Sequence, residues 1–280
     1  MGAVEEQVGI ATVRTAIDAG LTLIDTAQAY RTSESVIGRA LKDGYRERCF
    51  LATKASHDYT RQGIMAAMEN SLRNLGVDYV DLYQIHGWNP RYPIEESMET
   101  MARLQEAGKT RYIGVSNFNA GQMEQAIAVT GFHSNQLLYN LFDRQIEAQD
   151  IPFCERHGIG ILSHSSLAKG LLTGHYAPGH KFAADDERSK FPRFQGEVFS
   201  HYQALAGRLE QIARGKGLSL IQLAIAWLLR ASTVSCVLVG ARNPAQVAEY
   251  GGALGVTFSA DELARIDEVL AEVPRPTTGA

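Results

Sequence analysis

Four residues with complementary proton chemistry follow short apolar runs in the first third of the chain. Asp25 and Tyr30 come after one run, Lys54 ends a second, and His86 ends a third. A phenol, an ammonium, a carboxylate and an imidazole that converge suggest an acid whose pKa is tuned by its neighbours. Such a group can protonate a carbonyl oxygen while a hydride arrives from a cofactor.

The elements that would position these residues are short strands separated by helical patterns. The strand candidates are residues 21–25, 49–53, 79–85, 111–115, 133–138, 159–163 and 234–239. Because helical patterns lie between them, the strands are expected to be parallel neighbours in one sheet. Polar residues at the carboxyl ends of parallel barrel strands lie at the mouth, where chemistry is done.

A TIM-type (β/α)₈ barrel is favoured over a doubly wound sheet. A doubly wound sheet needs a glycine fingerprint after its first strand, and none is present. The barrel would be a single domain over residues 1–280 that lacks its first strand, since only seven strands are readable and this fold has eight. A long loop is predicted at 169–199, and loops of that length are usually functional or mobile.

Composition excludes several classes of function. The net charge of −4 argues against a nucleic-acid binder, which needs a basic face. The three cysteines are Cys49, Cys154 and Cys236; they lack CxxC spacing and indicate buried thiols in a reducing cytoplasm. Neither a signal peptide nor eighteen consecutive apolar residues is found, so secretion and membrane insertion are not expected.

Several motifs follow one another in order along the chain. They are Ile24-Asp25-Thr26-Ala27 with Tyr30, Leu51-Ala52-Thr53-Lys54, Asp81-Leu82-Tyr83-Gln84-Ile85-His86, Gly114-Val115-Ser116-Asn117-Phe118, Asn135-Gln136, Leu167-Ala168-Lys169-Gly170-Leu171-Leu172-Thr173-Gly174 and Gly240-Ala241-Arg242-Asn243-Pro244. Together they resemble the aldo-keto reductase superfamily. The resemblance runs from residue 21 to about 250 and implies reduction of aldehydes or ketones with NADP(H), NAD(H) being the alternative.

The resemblance also implies a division of labour among the four residues. Tyr30 would be the general acid, and Lys54 would lower its pKa by stabilising the phenolate. Asp25 would keep Lys54 charged and in place. His86 would orient the substrate carbonyl.

Cofactor positions follow from the same residue-by-residue match. Those that would contact the nicotinamide are Ser116, Asn117, Gln136 and His164; those along the pyrophosphate are Ser165, Leu167, Lys169 and Gly170; those at the adenosine end are Gly240, Arg242, Gln246 and Glu249. Arg242 would bind a 2′-phosphate. Trp88 and Phe118 would line the substrate pocket.

Three departures from the family pattern occur, one of which is Ser165-Ser166 in place of the common Ser-Pro. His164 stands where a large aromatic residue usually stacks on the nicotinamide. Tyr250 stands where an asparagine usually contacts the adenine, which weakens the match at the adenosine end.

Three other functions remain as alternatives. Lys54 could form a Schiff base in a barrel aldolase, although that would leave the cofactor positions without a role. The chain could be an NADP(H)-binding regulatory subunit with little turnover. Metal binding is the weakest alternative, because no HExxH motif occurs and His175 and His180 lack ligand spacing.

The missing first strand carries an expectation of its own. Strands 21–25 and 234–239 would each face a gap, and an unpaired edge invites association. We expect either a native start upstream of Met1, which is favoured, or a seven-stranded form that survives with a weakened site. The 280-residue form would bind NADPH weakly, turn over slowly, and be less stable or self-associating. The sequence specifies neither the carbonyl substrate nor the oligomeric state.

Overall fold

Seven parallel strands form the centre of the fold and follow one another in chain order. A computed structural model describes residues 4–177 and 179–274. The strands are β1 (Leu23–Asp25), β2 (Phe50–Ala55), β3 (Val80–Ile85), β4 (Thr110–Ser116), β5 (Ser134–Leu138), β6 (Gly160–His164) and β7 (Val234–Val237). Their order in the sheet is β1-β2-β3-β4-β5-β6-β7. Sequential parallel strands with crossover helices are the arrangement of a TIM-type barrel.

Helices lie between successive strands, before the first strand and after the last. They are α1 (Glu6–Asp18), α2 (Ser33–Ala40), α3 (Arg61–Leu75), α4 (Ile94–Glu106), α5 (Ala120–Val129), α6 (Asp150–His157), α7 (Gly196–Gly215), α8 (Leu220–Leu229), α9 (Pro244–Tyr250) and α10 (Ala260–Leu270). Polar side chains fix several helix starts: Asn119, Ser219 and Ser259 each form a capping box with the residue three positions later. Gly76 ends α3 with φ of 67°, a conformation that glycine adopts without strain.

The interior of the curved sheet is built in layers. A small apolar cluster, separate from the large core between strands and helices, consists of Ala52, Leu82 and Leu162 with Leu23, Phe50, Cys236 and Leu238 packed against it. Side chains on one face of a strand recur every second residue. The next positions along β1, β2 and β6 on this face are therefore Asp25, Lys54 and His164. An apolar floor thus lies beneath a polar layer.

The seven strands and the parallel barrel arrangement are confirmed over the described residues. There β1 and β7 are the two ends of the strand order, and no pairing joins them. Two short 3-10 helices, Glu187–Lys190 and Pro192–Phe194, lie within the predicted loop at 169–199, and a 3-10 stretch that is kinked at Lys169 and Gly170, Ala168–Thr173, lies at its start. The predicted end of the loop is wrong, because α7 already begins at Gly196.

No single helix in residues 4–177 and 179–274 is long and apolar enough to span a membrane; one pair, α7 with α8, passes by length and composition but is bent by 84°.

Candidate active site

The four residues predicted from the strand ends lie together at the carboxyl end of the sheet. Asp25 is the last residue of β1, Lys54 lies in β2, and His86 follows β3 directly. Lys54 is fully buried. Its Nζ donates to Asp25 Oδ2 at 2.6 Å and to the Thr26 backbone oxygen at 2.8 Å. A buried ammonium needs such partners, since an unpaired charge in this position would be very costly.

Tyr30 lies above this ion pair on the loop between β1 and α2. Its hydroxyl is 3.4 Å from His86 Nε2, and the two rings meet edge to face at 5.5 Å. Lys54 Nζ is 5.3 Å from the centroid of the Tyr30 ring. Tyr30 remains 45% exposed, so its hydroxyl can be reached from solvent. The geometry brings an acid, an imidazole and a fixed positive charge to one opening.

The pKa of Tyr30 is raised in the chain as it stands, and not lowered as expected from the neighbouring Lys54. Partial burial, followed by the negative charge of Asp25, raises the pKa of Tyr30 to about 12. The Lys54 ammonium donates its hydrogen bonds to Asp25 and to the Thr26 backbone oxygen. Tyr30 is therefore protonated throughout the neutral range.

Gln136 belongs to the same polar layer. Its Nε2 donates to Asp25 Oδ1 at 2.9 Å, so both carboxylate oxygens of Asp25 are engaged. Its backbone oxygen accepts from Ser116 Oγ at 2.9 Å, and Ser116 is only 1% exposed. The Gln136 side chain is thus bonded to Asp25, and the Ser116 hydroxyl is bonded to the Gln136 backbone. To contact the carboxamide of a nicotinamide, both side chains would have to give up these partners.

Asn117 and His164 are joined directly. Asn117 has a left-handed backbone, with φ of 58°, and its Nδ2 donates to Ser116 Oγ at 3.0 Å. Its Oδ1 is 2.8 Å from His164 Nε2, while His164 Nδ1 is 3.2 Å from Ser165 Oγ. Burial, and then the charge of Lys54, lowers the pKa of His164 to about 4. The imidazole is neutral and held at both nitrogens.

The segment after β6 has an unusual backbone. Ser165, Ala168 and Lys169 have φ near 50°, and Gly170 has φ of 102°. Non-glycine residues in this region store strain and cluster at ligand-binding loops. Lys169 Nζ forms a 3.0 Å ion pair with Glu187, and it lies 4.8 Å from the centroid of the Phe191 ring. Leu167 packs against the core.

The predicted adenosine end lies at the start of α9. The Arg242 N–H donates to Gln246 Oε1 at 2.7 Å, and the Gly240 oxygen accepts from Tyr250 at 2.9 Å. The Glu249 backbone oxygen accepts a hydrogen bond from Gln222 Nε2. No ion-pair partner of the Arg242 guanidinium is found in the described part of the chain. An open depression of about 420 Å³ between α1 and α9 is lined by Val4, Glu5, Val8, Arg242, Asn243 and Gln246. An unpaired guanidinium beside an open depression suits a phosphate.

One of the two predicted substrate residues is misplaced. Phe118 is 1% exposed and belongs to the core, so it cannot line a pocket. Its ring supports Trp88 edge to face at 5.2 Å. Trp88 is half-buried on the loop after β3. No group of three or more His, Cys, Asp or Glu side chains in the described ranges could hold a metal ion.

Ser56 is a site residue that the sequence analysis missed. Its Oγ is 2.7 Å from His86 Nδ1. The signal for it was available, because Ser56 follows Lys54 by two positions and a strand repeats its facing direction every second residue.

Comparison with known proteins gives one consistent result. The profile of the Aldo/keto reductase family matches residues 2–271. The aldo-keto reductase YhdN of Bacillus subtilis is 39% identical over 282 residues, which cover 96% of this chain and 85% of that protein. The glycerol dehydrogenase AKR11B4 of Gluconobacter oxydans has a TM-score of 0.90 at 34% identity, covering 100% of this chain and 91% of that chain.

A third relative was solved with a ligand. The aldo/keto reductase of Klebsiella pneumoniae, in complex with NADP and acetate, has a TM-score of 0.78 at 30% identity, covering 98% of this chain and 88% of that chain. With the strand order and the four clustered residues, these matches show that the chain belongs to the aldo/keto reductase family.

Proposed function

We propose that this protein reduces aldehydes or ketones to alcohols with NADP(H), and that Tyr30 is the general acid. The observation that supports this most directly is the convergence of the Tyr30 hydroxyl and His86 Nε2, 3.4 Å apart, beside the buried Lys54–Asp25 pair. A nicotinamide cofactor, when bound, supplies the hydride that the carbonyl carbon receives.

The chain's own residues would handle the proton. Tyr30 holds its proton at neutral pH, because its pKa is raised to about 12. It would transfer that proton to the carbonyl oxygen as negative charge develops there. The resulting phenolate would be stabilised by Lys54, whose Nζ is 5.3 Å from the ring centroid. Asp25 would hold the ammonium in place, and His86 would orient the carbonyl.

The cofactor is proposed from this chain's residues and from its relatives. Two Klebsiella pneumoniae structures similar to this chain contain NADP or NADPH. Here the strained segment after β6 and Lys169 would hold the pyrophosphate, and Arg242 would hold the 2′-phosphate. The nicotinamide would lie near Asn117 and His164, with Ser116 and Gln136 behind them. We propose NADP(H) as the preferred cofactor, with NAD(H) as the weaker one.

The substrate would be a small carbonyl compound. The Gluconobacter oxydans relative is named a glycerol dehydrogenase, which supports an exchange between an alcohol and a carbonyl group. Trp88, half-buried on the loop after β3, would be an aromatic side chain that contacts the substrate. A Schiff-base reaction is disfavoured, because Lys54 is fully buried and two hydrogen bonds hold its ammonium. Appreciable turnover would distinguish a reductase from the alternative, an NADP(H)-binding regulatory subunit with little turnover.

The test is NADPH consumption with a panel of aldehydes, ketones and sugars. Tyr30→Phe deletes the proton donor and keeps the ring, so turnover should fall by about two to four orders of magnitude, while NADPH affinity changes little. Tyr112→Phe is the matched control: Tyr112 is 44% exposed against 45% for Tyr30, and lies in β4 away from the four residues. Retention of most activity in Tyr30→Phe would refute the assignment.

A further inference from the structure

Ser56 is joined to His86 by the shortest hydrogen bond that His86 makes. Ser56 directly follows β2 and is 5% exposed, and its Oγ is 2.7 Å from His86 Nδ1. Backbone contacts fix both residues. The His86 N–H donates to the Ala55 oxygen at 3.1 Å, and the Ser56 N–H donates to Gln28 Oε1 at 3.1 Å. The pair is therefore held by β2 and by the loop that carries Tyr30.

The direction of this hydrogen bond follows from a count of donors and acceptors. A serine hydroxyl has one proton to donate. In the described part of the chain, Ser56 Oγ has no hydrogen-bond partner other than His86 Nδ1. If Nδ1 donated, the hydroxyl proton would be left buried without an acceptor, which costs free energy. The favoured arrangement has Ser56 donating and Nδ1 accepting.

This direction determines which nitrogen of the neutral imidazole carries the proton. An accepting Nδ1 leaves the proton on Nε2. Nε2 faces the Tyr30 hydroxyl at 3.4 Å. Tyr30 then accepts from His86, and its own proton is left to be donated elsewhere. In the opposite tautomer, Nε2 would accept a hydrogen bond from the Tyr30 hydroxyl. The Tyr30 proton would then already be bonded to His86 before a substrate arrived.

We propose that Ser56 is a positioning residue, which keeps the proton of His86 on Nε2 and so reserves the Tyr30 proton for the carbonyl oxygen. This inference rests on the proposed function. Two donors, the Nε2–H and the phenolic O–H, then converge on one acceptor, the carbonyl oxygen. The imidazole is neutral, because burial and the charge of Lys54 lower the pKa of His86 to about 4. Tyr30 would transfer its proton to that oxygen, and a nicotinamide cofactor, when bound, would supply the hydride that the carbonyl carbon receives.

The first arm of the test reads the tautomer without turnover. Nitrogen-15 NMR distinguishes a protonated from an unprotonated ring nitrogen, and His86→Gln identifies the His86 signals among the eight histidines. The wild type should show a protonated Nε2 and an unprotonated Nδ1. Ser56→Ala should shift the population towards the other tautomer, and Ser56→Thr, which keeps a hydroxyl, should restore it. A wild-type His86 protonated on Nδ1 would overturn the proposal.

The second arm measures catalysis against a matched control. Ser71 is also buried, lies in α3 and has a side-chain oxygen without a partner in the described residues, so Ser71→Ala removes a buried hydroxyl away from the site. Ser56→Ala should lower kcat about tenfold, the effect of one hydrogen bond, with NADPH affinity unchanged. Ser56→Thr should recover most of the loss. In a His86→Gln background, Ser56→Ala should cost almost nothing more, because the residue acts through the imidazole.

The possible outcomes distinguish the role of Ser56 from the proposed carbonyl reduction. Equal kcat values for Ser56→Ala and Ser71→Ala, or an additive loss in the double variant, would overturn the role of Ser56. A protonated Nε2 in a chain that reduces no carbonyl would overturn the proposed function, while the tautomer would stand on its own spectrum. Thermal unfolding of each variant confirms that the comparison is between folded proteins.

Discussion

At the scale of single residues, Asp25 connects the two halves of the polar layer. One of its oxygens accepts from Lys54 and the other from Gln136. Its negative charge also disfavours the Tyr30 phenolate and contributes to the raised pKa of that group. One carboxylate therefore holds the cation in place and adds to the burial that makes the Tyr30 phenol harder to ionise.

Asp25→Asn should lower the pKa of Tyr30 below about 12, because the charge that opposes the phenolate is removed while partial burial remains. Alkaline titration of tyrosinate absorbance measures it. The chain has 11 tyrosines, so the Tyr30 signal is obtained by subtracting the curve of the Asp25→Asn/Tyr30→Phe variant. An unchanged pKa would show that burial alone sets its value.

Arg242 is expected to bind the 2′-phosphate of NADP(H). Arg242→Ala should weaken NADPH binding about tenfold to a hundredfold, the loss of a charge-assisted contact, and leave NADH nearly unchanged. Arg265→Ala is the control, since Arg265 is an exposed arginine on α10 whose only hydrogen bond in the described residues goes to the Asp261 backbone. Fluorescence titration with both cofactors decides it; equal losses for the two would contradict phosphate recognition by Arg242.

The sequence predicted the four clustered residues because each lies at or just after a strand end, and parallel strand ends meet at one edge. Contacts between distant segments were not predictable in this way. The Gln136–Asp25 bond joins residues 111 positions apart, and the burial of Phe118 depends on how α5 packs. The direction of the Tyr30 pKa shift depends on the burial of the phenol and on the charge of Asp25, which spacing does not specify.

At the scale of elements, the segment 169–199 is anchored by one well-formed ion pair. Arg193 donates to both oxygens of Asp143, at 2.6 and 2.7 Å, and the Asp143 side chain is 8% exposed. Asp143 also accepts from Asn140, which in turn donates to the Ser165 oxygen at 3.0 Å. The anchor therefore extends to the strained start of the proposed pyrophosphate loop. The sequence predicted that a long segment lies here but not what fastens it.

Arg193→Ala should lower the free energy of unfolding by about 2 kcal/mol, because it leaves a nearly buried carboxylate without its cation. Arg208→Ala removes an exposed pair with Glu272, whose side chains are 44% and 52% exposed, and should cost less than about 1 kcal/mol. Urea denaturation gives both values. Faster proteolysis within 169–199 should accompany Arg193→Ala only. Similar losses in the two variants would mean that the bidentate pair does not anchor the segment.

At the scale of the whole molecule, the site links stability to pH. His86 and His164 both have a pKa lowered to about 4, against an ordinary value of 6.5. Between these values the unfolded chain binds more protons than the folded one, so the free energy of unfolding rises with pH there. Stability is accordingly lost as the pH falls from about 6.5 towards 4.

Urea midpoints measured at steps between pH 7 and pH 4.5 test this linkage. The midpoint should decline on acidification, and His164→Gln should decline less steeply, because one of the two groups that take up a proton on unfolding is gone. Carboxylates contribute to the pH dependence of both the wild type and His164→Gln, so the difference between the two curves isolates the effect of the His164 imidazole. Parallel curves would show that His164 does not titrate differently in the folded and unfolded states.

The strand order has a consequence for how the molecule assembles. Each strand pairs only with neighbours that precede or follow it along the described chain. Such a sheet can be extended from one side as the polypeptide leaves the ribosome, with no strand waiting for a distant partner. Asp25, Tyr30, Lys54 and His86 all belong to its first three strands and their loops. The reactive cluster is therefore the part of the molecule that biosynthesis completes first, and Gln136 and His164 are added to it later from the second half of the chain.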